Sequence, residues 1–357
     1  MNSIPACGIA AVVARTQRRL IFLASVLASL ACAPVAGAAQ QQFAAVGPLE
    51  LAGGRLAECA IGYRTYGKLA PDKSNAVLFP TWLPGRTADL EGLIGPGKLV
   101  DSSKWFVVTV DALGDGVSCS PSNSKARPRL AFPTFSIKDM VVSQHKLLTD
   151  TLGITHLHAV VGMSMGGLQA LQWAVTYPAF ASKVVAIIAT PQPTSQDLLT
   201  WNAELRSIED DARWQGGEYP EGTQFRTLAA IQALSIWTPQ YRVRSTPRAD
   251  FAGFLQQQDT ANLSTFSAVD WYRQLQALIS FDLPAQEDGT LQGVARKIKT
   301  PLLIVTSRQD HMVNPAPVTS LATLAGSRQL VLDSDCGHMA PVCELPAVSA
   351  AIAEFLQ

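Results

Sequence analysis

Nucleophilic acyl chemistry needs a serine or cysteine, a base to take its proton and a carboxylate to hold that base. Ser164 stands in Gly162-Met163-Ser164-Met165-Gly166-Gly167, a Gly-x-Ser-x-Gly turn. Five histidines compete as the base. His145 falls in a helical pattern, and His156 and His158 open a strand, where structural roles are expected. His311 is the rival that adjoins the candidate acid. His338, in Asp335-Cys336-Gly337-His338-Met339, is preferred. Asp310 follows an apolar run, in Ser307-Arg308-Gln309-Asp310; Asp333 and Asp335 compete but share His338's own loop. The chain order is therefore serine, acid, histidine. A tetrahedral oxyanion also needs donors, each worth on the order of 3 kcal/mol in the transition state. One is the backbone N–H of Met165, which follows the nucleophile. The second comes from the loop Thr81-Trp82-Leu83 after an early strand, and Leu83 is preferred because Pro84 has no N–H.

These side chains must be held by strands and turns. The apolar run 158–163 predicts a buried strand, and the amphipathic stretch 168–175 a helix. Strand, sharp turn and helix strain the backbone at Ser164, so Gly162 and Gly166 must approach it without side chains. Short apolar runs at 75–79, 105–110, 183–189, 302–306 and 329–332 predict further strands. Helical spacing covers 136–152, with Ser136 and Asp139 as an N-terminal cap and Gly153 as the stop, and again 345–355. Residues 40–66 alternate with period two around Gly53-Gly54, which predicts an antiparallel pair at the sheet edge. The long loop 113–133 is rich in Gly, Ser and Pro, and loops of that length are usually functional.

Strands alternating with helices imply a mostly parallel central sheet flanked by helices. The stretch 191–290 breaks that rhythm, so a helical cap is expected over the carboxyl edge, where such sheets bind ligands. It holds Trp201, Trp214, Trp237 and Trp271. Each suits a core as well as a pocket wall. The cap's charges fall in runs that read as solvated faces. An apolar acyl pocket with one polar end is therefore expected, preferring short to medium acyl chains.

With 48% hydrophobic and 16% charged residues in a 357-residue chain, there is ample material for a core. The formal net charge is zero and no basic stripe occurs, which argues against nucleic acid. Arg15, Arg18 and Arg19 precede an uncharged apolar run, 20–33, and Ala36-Gly37-Ala38 offers a cleavage site. That pattern predicts a signal peptide over 1–38, a mature enzyme domain over 39–357, and a periplasmic or secreted location. Export leaves 25 basic against 28 acidic residues, a net charge of −3. It also leaves Cys59, Cys119, Cys336 and Cys343, an even number that permits bridges without fixing their pairing. Cys336 and Cys343 bracket a turn and are candidates to pair. No metal-ligand spacing and no cofactor motif is found, and the expected partner is a small-molecule ester or acyl donor. No stable membrane insertion is expected after cleavage, and a homodimer is left open.

The residues quoted above, with Gly95-Pro96-Gly97-Lys98, Phe132-Pro133, Gln169-Ala170-Leu171-Gln172-Trp173-Ala174, Trp214-Gln215-Gly216-Gly217-Glu218-Tyr219 and Asp270-Trp271, resemble the homoserine O-acetyltransferase family. The likeness spans roughly 50–350 and implies an α/β-hydrolase fold with Ser164, Asp310 and His338 as its triad. Departures occur where the family carries a His-Ala-Leu-Thr-Gly type loop and a Cys-x-Gly-Ser-Thr-Gly-Pro type stretch. Here Thr81-Trp82-Leu83-Pro84-Gly85 and Gly116-Val117-Ser118-Cys119-Ser120-Pro121 stand in their place. The lid arginine that meets an amino-acid carboxylate in the transferases has only Arg226 as a stand-in. Trp82 and Arg86 are further candidate substrate contacts. The expectation is a serine-dependent acyl-transfer enzyme, foremost an exported ester hydrolase. Homoserine O-acetyltransferase, using acetyl-CoA, is the alternative and requires a cytoplasmic chain. A non-catalytic binding protein on the same scaffold is a third reading, against which the complete triad argues.

Overall fold

The computed structural model describes residues 39–261 and 266–357; the expected signal peptide lies outside them. The chain opens with β1 (Gln42–Ala45), β2 (Leu49–Leu51), β3 (Gly54–Leu56) and β4 (Ala60–Tyr66). β1 and β4 pair antiparallel at the edge of the main sheet, whereas β2 and β3 form a separate two-stranded sheet. The stretch 40–66 thus holds two antiparallel pairs where one was expected. The turn between β2 and β3 is anchored elsewhere: Gly53 N–H donates to Thr134 O, and Ala52 N–H to Asp139 Oδ2. A Cβ on Gly53 would stand 2.2 Å from Thr134 Oγ1, so glycine is required at that approach.

β5 (Ala76–Pro80), β6 (Phe106–Val110), α1 (Ile137–Lys146), β7 (Leu157–Met163), α2 (Met165–Thr176) and β8 (Ala181–Ile187) follow. Ser136 and Asp139 close a capping box on α1. A run of helices follows: α3 (Ser195–Glu209), α4 (Arg226–Ile236), α5 (Pro239–Ser245), α6 (Phe251–Ala261) and α7 (Ala268–Ile279). The chain ends with α8 (Leu291–Lys297), β9 (Leu302–Ser307), α9 (Ala316–Leu324), β10 (Arg328–Leu332), α10 (Ala340–Cys343) and α11 (Leu345–Leu356).

The main sheet has eight strands in the order β1-β4-β6-β5-β7-β8-β9-β10, parallel from β6 to β10. Its inner strands are apolar on both faces because helices cover both. Alternation sorts their side chains. Leu78, Val160, Ala186 and Ile304 join one core with Leu168 and Leu171 of α2. Val77, Phe79, Val161, Val185 and Val305 join another with Val348 and Ile352 of α11. Burial on both faces fixes register, since a one-residue slip would exchange the two sets. Two disulfides, Cys59–Cys119 and Cys336–Cys343, pin the loop 113–133 to the start of β4 and close the loop after β10. Among the described residues no single helix is long and apolar enough to cross a membrane.

Candidate active site

β7 ends at Met163, and the chain turns sharply into α2 through Ser164, at φ 54° and ψ −125°. That is a left-handed backbone that a serine adopts only under constraint. The constraint is steric. A Cβ on Gly162 would lie 1.9 Å from Gly166 O, and one on Gly166 2.7 Å from Pro80 O. With no side chains there, the turn packs against the end of β5 and lifts the Ser164 hydroxyl above the sheet.

Ser164 Oγ lies 2.9 Å from His338 Nε2, and His338 Nδ1 lies 2.8 Å from Asp310 Oδ2. Both partners are buried, His338 at 5% and Asp310 at 7% exposure, so water does not compete for these bonds. Asp310 follows β9, and its Oδ1 accepts the N–H groups of Met312 and Val313, each at 2.9 Å. His338 sits in a short turn after β10. That turn is held by the Cys336–Cys343 bridge, by an Arg244–Asp335 ion pair and by a hydrogen bond from Thr238 to Asp335 O. The structure therefore brings Ser164, Asp310 and His338 together from the carboxyl ends of three strands. It keeps their rivals apart: His311 is exposed, Asp333 faces Arg308, and Asp335 is engaged by Arg244.

Leu83 and Met165 both line a small cavity beside Ser164. A buried amide, Gln169, ties their segments: its Nε2 donates to Thr81 O at 3.0 Å and to Met165 O at 3.1 Å. Gln144 Nε2 in turn donates to Gln169 Oε1, and Trp173 Nε1 to Gln144 Oε1. Gln169 stands in a quoted sequence motif, but nothing in the sequence marks it as the tie between the elbow and the loop at Thr81.

The cavity is about 20 Å³, room for one or two water-sized groups. Its wall is apolar (Leu168, Leu275, Leu278, Met312) except where Glu204 of α3 and Gln232 of α4 meet. Gln232 Nε2 donates to Glu204 Oε1 at 2.7 Å. Burial pushes the Glu204 carboxyl up to about 8, opposed by the Gln232 amide and the Trp271 indole. Sequence reasoning missed Glu204, although a signal existed. Asp197, Trp201, Glu204 and Ile208 recur at helical spacing along the buried face of α3, so two carboxylates, one of them Glu204 in mid-helix, stand on a stripe with Trp201 and Ile208.

Three expected substrate contacts do not reach this cavity. Arg226 is exposed in the first turn of α4, because the buried face of that helix carries Leu228, Ala229, Gln232 and Ser235 instead. Trp82 is partly buried and packs against the core that includes Phe79, Val161 and Val305. Arg86 lines a second cavity, of about 630 Å³, with Ser122 and Asp270; burial pushes Asp270 up to about 7. Of the four cap tryptophans only Trp201 lines the cavity beside Ser164. Trp214 stacks on Tyr219, Trp237 stacks on Tyr241, and Trp271 packs edge-on against Phe266.

A model of the alpha/beta hydrolase fold family matches residues 82–342. The chain is 37% identical over 205 residues to an ethyl acetate hydrolase of Pseudomonas veronii, covering 55% of this chain and 58% of that protein. That match spans just over half the length of either protein. The chain is 31% identical over 327 residues to a homoserine O-acetyltransferase of Chloroherpeton thalassium, covering 85% of each. Among solved structures, an acetylester hydrolase from Corynebacterium glutamicum superposes with a TM-score of 0.82 at 26% identity, covering 89% of this chain and 96% of that one. The chain belongs to the alpha/beta hydrolase fold family, among the enzymes related to homoserine O-acetyltransferases and esterases.

Proposed function

We propose that the protein hydrolyses short acyl esters, acetyl esters foremost, through an acyl-Ser164 intermediate. The observation that carries this reading is the Ser164–His338–Asp310 chain of hydrogen bonds opening on a cavity of about 20 Å³. Ser164 Oγ attacks the ester carbonyl while His338 Nε2 takes its proton. The imidazolium that forms is held by Asp310 through Nδ1–H. The oxyanion is met by the N–H groups of Met165 and Leu83. His338 then returns the proton to the departing alcohol, and water repeats the sequence on the acyl-serine, releasing the acid and free Ser164. A cavity of that size accepts an acyl group with one or two heavy atoms beyond its carbonyl. The ethyl acetate hydrolase and the acetylester hydrolase among its relatives agree with that size.

Transfer of an acetyl group to homoserine is the second reading, favoured by the longer span of the match to the transferase. Against it stands the cavity wall, where Arg226 is absent and no other arginine is found among the described residues. Product analysis with ethyl acetate and with acetyl-CoA, each with and without homoserine, separates the two. Acetate as product from ethyl acetate supports the hydrolase; O-acetylhomoserine as the main product from acetyl-CoA overturns it.

Export is part of the proposal, resting on the pattern of residues 1–38. A periplasmic or secreted chain beginning near Ala39 is expected by N-terminal sequencing. The uncleaved chain in the cytosol would remove that element and favour the transferase.

A further inference from the structure

A polar group at the end of an otherwise apolar acyl pocket costs binding energy for any chain that cannot satisfy it. Glu204 is such a group. It shows 0% exposure, lines the cavity that Ser164 opens into, and shares that part of the wall with Gln232. Its Oε1 accepts from Gln232, but its Oε2 reaches hydrogen-bond geometry with no partner among the described residues. The Trp271 indole N–H, also without a partner in strict hydrogen-bond geometry among the described residues, lies near enough to hydrogen-bond the carboxyl and favour its charged form, but it is not part of the cavity wall.

We infer that Glu204 and Gln232 select the acyl group of the substrate, favouring short hydroxyacyl esters over plain alkyl esters of the same size. This rests on the ester-hydrolase reading of the site. A hydroxyl both donates and accepts, so it can satisfy whichever form of the carboxyl meets it. Burial favours the acid form of Glu204, in which its O–H is a donor to an acyl hydroxyl oxygen. A methyl at the same place would offer Glu204 Oε2 no hydrogen bond, in a site too small to admit a compensating water beside it. The cavity volume of about 20 Å³ matches an acyl group with one or two water-sized units beyond its carbonyl. Glycolyl, with a hydroxyl on its second carbon, is of this class; propionyl has the same number of heavy atoms and no hydroxyl. Sites built around a hydroxyl discriminate against analogues lacking it far better than apolar pockets discriminate by size.

The test compares ethyl glycolate with ethyl propionate, each kcat/KM divided by that ester's rate of alkaline hydrolysis to remove intrinsic reactivity. In the wild type the corrected ratio is expected to favour glycolate by at least ~10-fold, carried mainly by KM. Glu204→Leu should bring the ratio to about one or below, while Glu204→Gln, which keeps a neutral hydrogen-bonding group, should retain most of it. The wild-type ratio stands as a test even where Glu204→Leu does not fold, and Gln232→Leu then serves as the second variant, expected to reduce the ratio. A wild-type ratio near one, or a ratio unchanged in a folded Glu204→Leu, overturns the inference alone. Failure of the wild type to hydrolyse ethyl acetate and both test esters overturns the ester-hydrolase reading and this inference with it.

Discussion

The two ends of the cavity beside Ser164 are built from different materials. At one end, Ser164, Asp310 and His338 ride on loops at the carboxyl ends of β7, β9 and β10. β7 and β9 are locked by burial on both faces, β10 is the exposed edge strand paired to β9, and the loops are stapled by glycine contacts, backbone N–H groups and a disulfide. At the other end, Glu204 and Gln232 stand on the inner faces of α3 and α4, which belong to none of the sheet. They depend on helix packing and on each other. Chemistry is thus tied to the part of the fold that cannot shift without losing the core. Selection among acyl groups is assigned to a part that can change with little effect on the strands. The two ends still touch: Asp197 of α3 accepts Asn314 N–H beside the Asp310 loop, and Arg244 of α5 holds Asp335 beside His338.

The largest effect expected lies at the triad. Ser164→Ala should leave the melting temperature near that of the wild type and lower kcat by ~10⁴-fold or more. His338→Ala should fall by a similar factor, whereas His311→Ala, which removes an exposed side chain, should keep most activity. Steady-state ester hydrolysis by the purified variants decides. A Ser164→Ala protein with a tenth of wild-type turnover, or an exchange of the two histidine results, would place the chemistry elsewhere.

The same contrast explains what could be read without coordinates. The elbow was legible because strand, Gly-x-Ser-x-Gly and helix are local and each glycine has a steric reason. Asp310 and His338 were legible because each follows an apolar strand. The cap's inner face was not. Glu204 looks like any surface glutamate until its spacing from Trp201 and Ile208 is noticed, and even then nothing local says that α4 will present Gln232 to it. The position of Arg226 was hidden for the same reason: it is exposed on α4, off the buried face, and does not line the cavity beside Ser164. The Cys59–Cys119 bridge joins residues 60 apart and needed the fold to pair them. In 40–66 the alternating pattern was right, but the anchoring of the β2–β3 turn to Thr134 and Asp139 is a tertiary contact.

An intermediate effect should mark the polar end through stability. Glu204 is pushed from 4.5 to about 8 in the folded chain, so the native state keeps a proton that the unfolded chain releases above pH 4.5. The native state therefore binds more protons between these values, and unfolding free energy falls as pH rises through that window. The contribution at full extent is a few kcal/mol. Glu204→Gln cannot release a proton, so its urea-unfolding free energy should fall less than that of the wild type between pH 5 and pH 8. Parallel slopes for the two proteins would mean that Glu204 is already ionised in the native state.

The smallest expected effect separates the two disulfides, one near each kind of scaffold. Cys59–Cys119 closes a span of 60 residues and Cys336–Cys343 a span of 7. Chain entropy alone assigns about 4 kcal/mol of stability to the first and about 2 kcal/mol to the second. The ranking for activity should be the reverse. The short bridge begins two residues before His338, and the turn it closes sets the distance from Nε2 to Ser164 Oγ. The long bridge fixes loop 113–133, which contributes no side chain to the cavity wall. Replacing Cys336 and Cys343 together by serine should therefore cost less in melting temperature than replacing Cys59 and Cys119, but more in kcat. A loss on the order of tenfold corresponds to about 1.4 kcal/mol of lost positioning. The remaining ties, Arg244 to Asp335 and Thr238 to Asp335 O, keep the loss from being larger. If the 336–343 double variant kept full kcat, those two contacts from α5 and its cap would suffice to hold His338. The catalytic end would then depend on the helical insertion more than on its own loop.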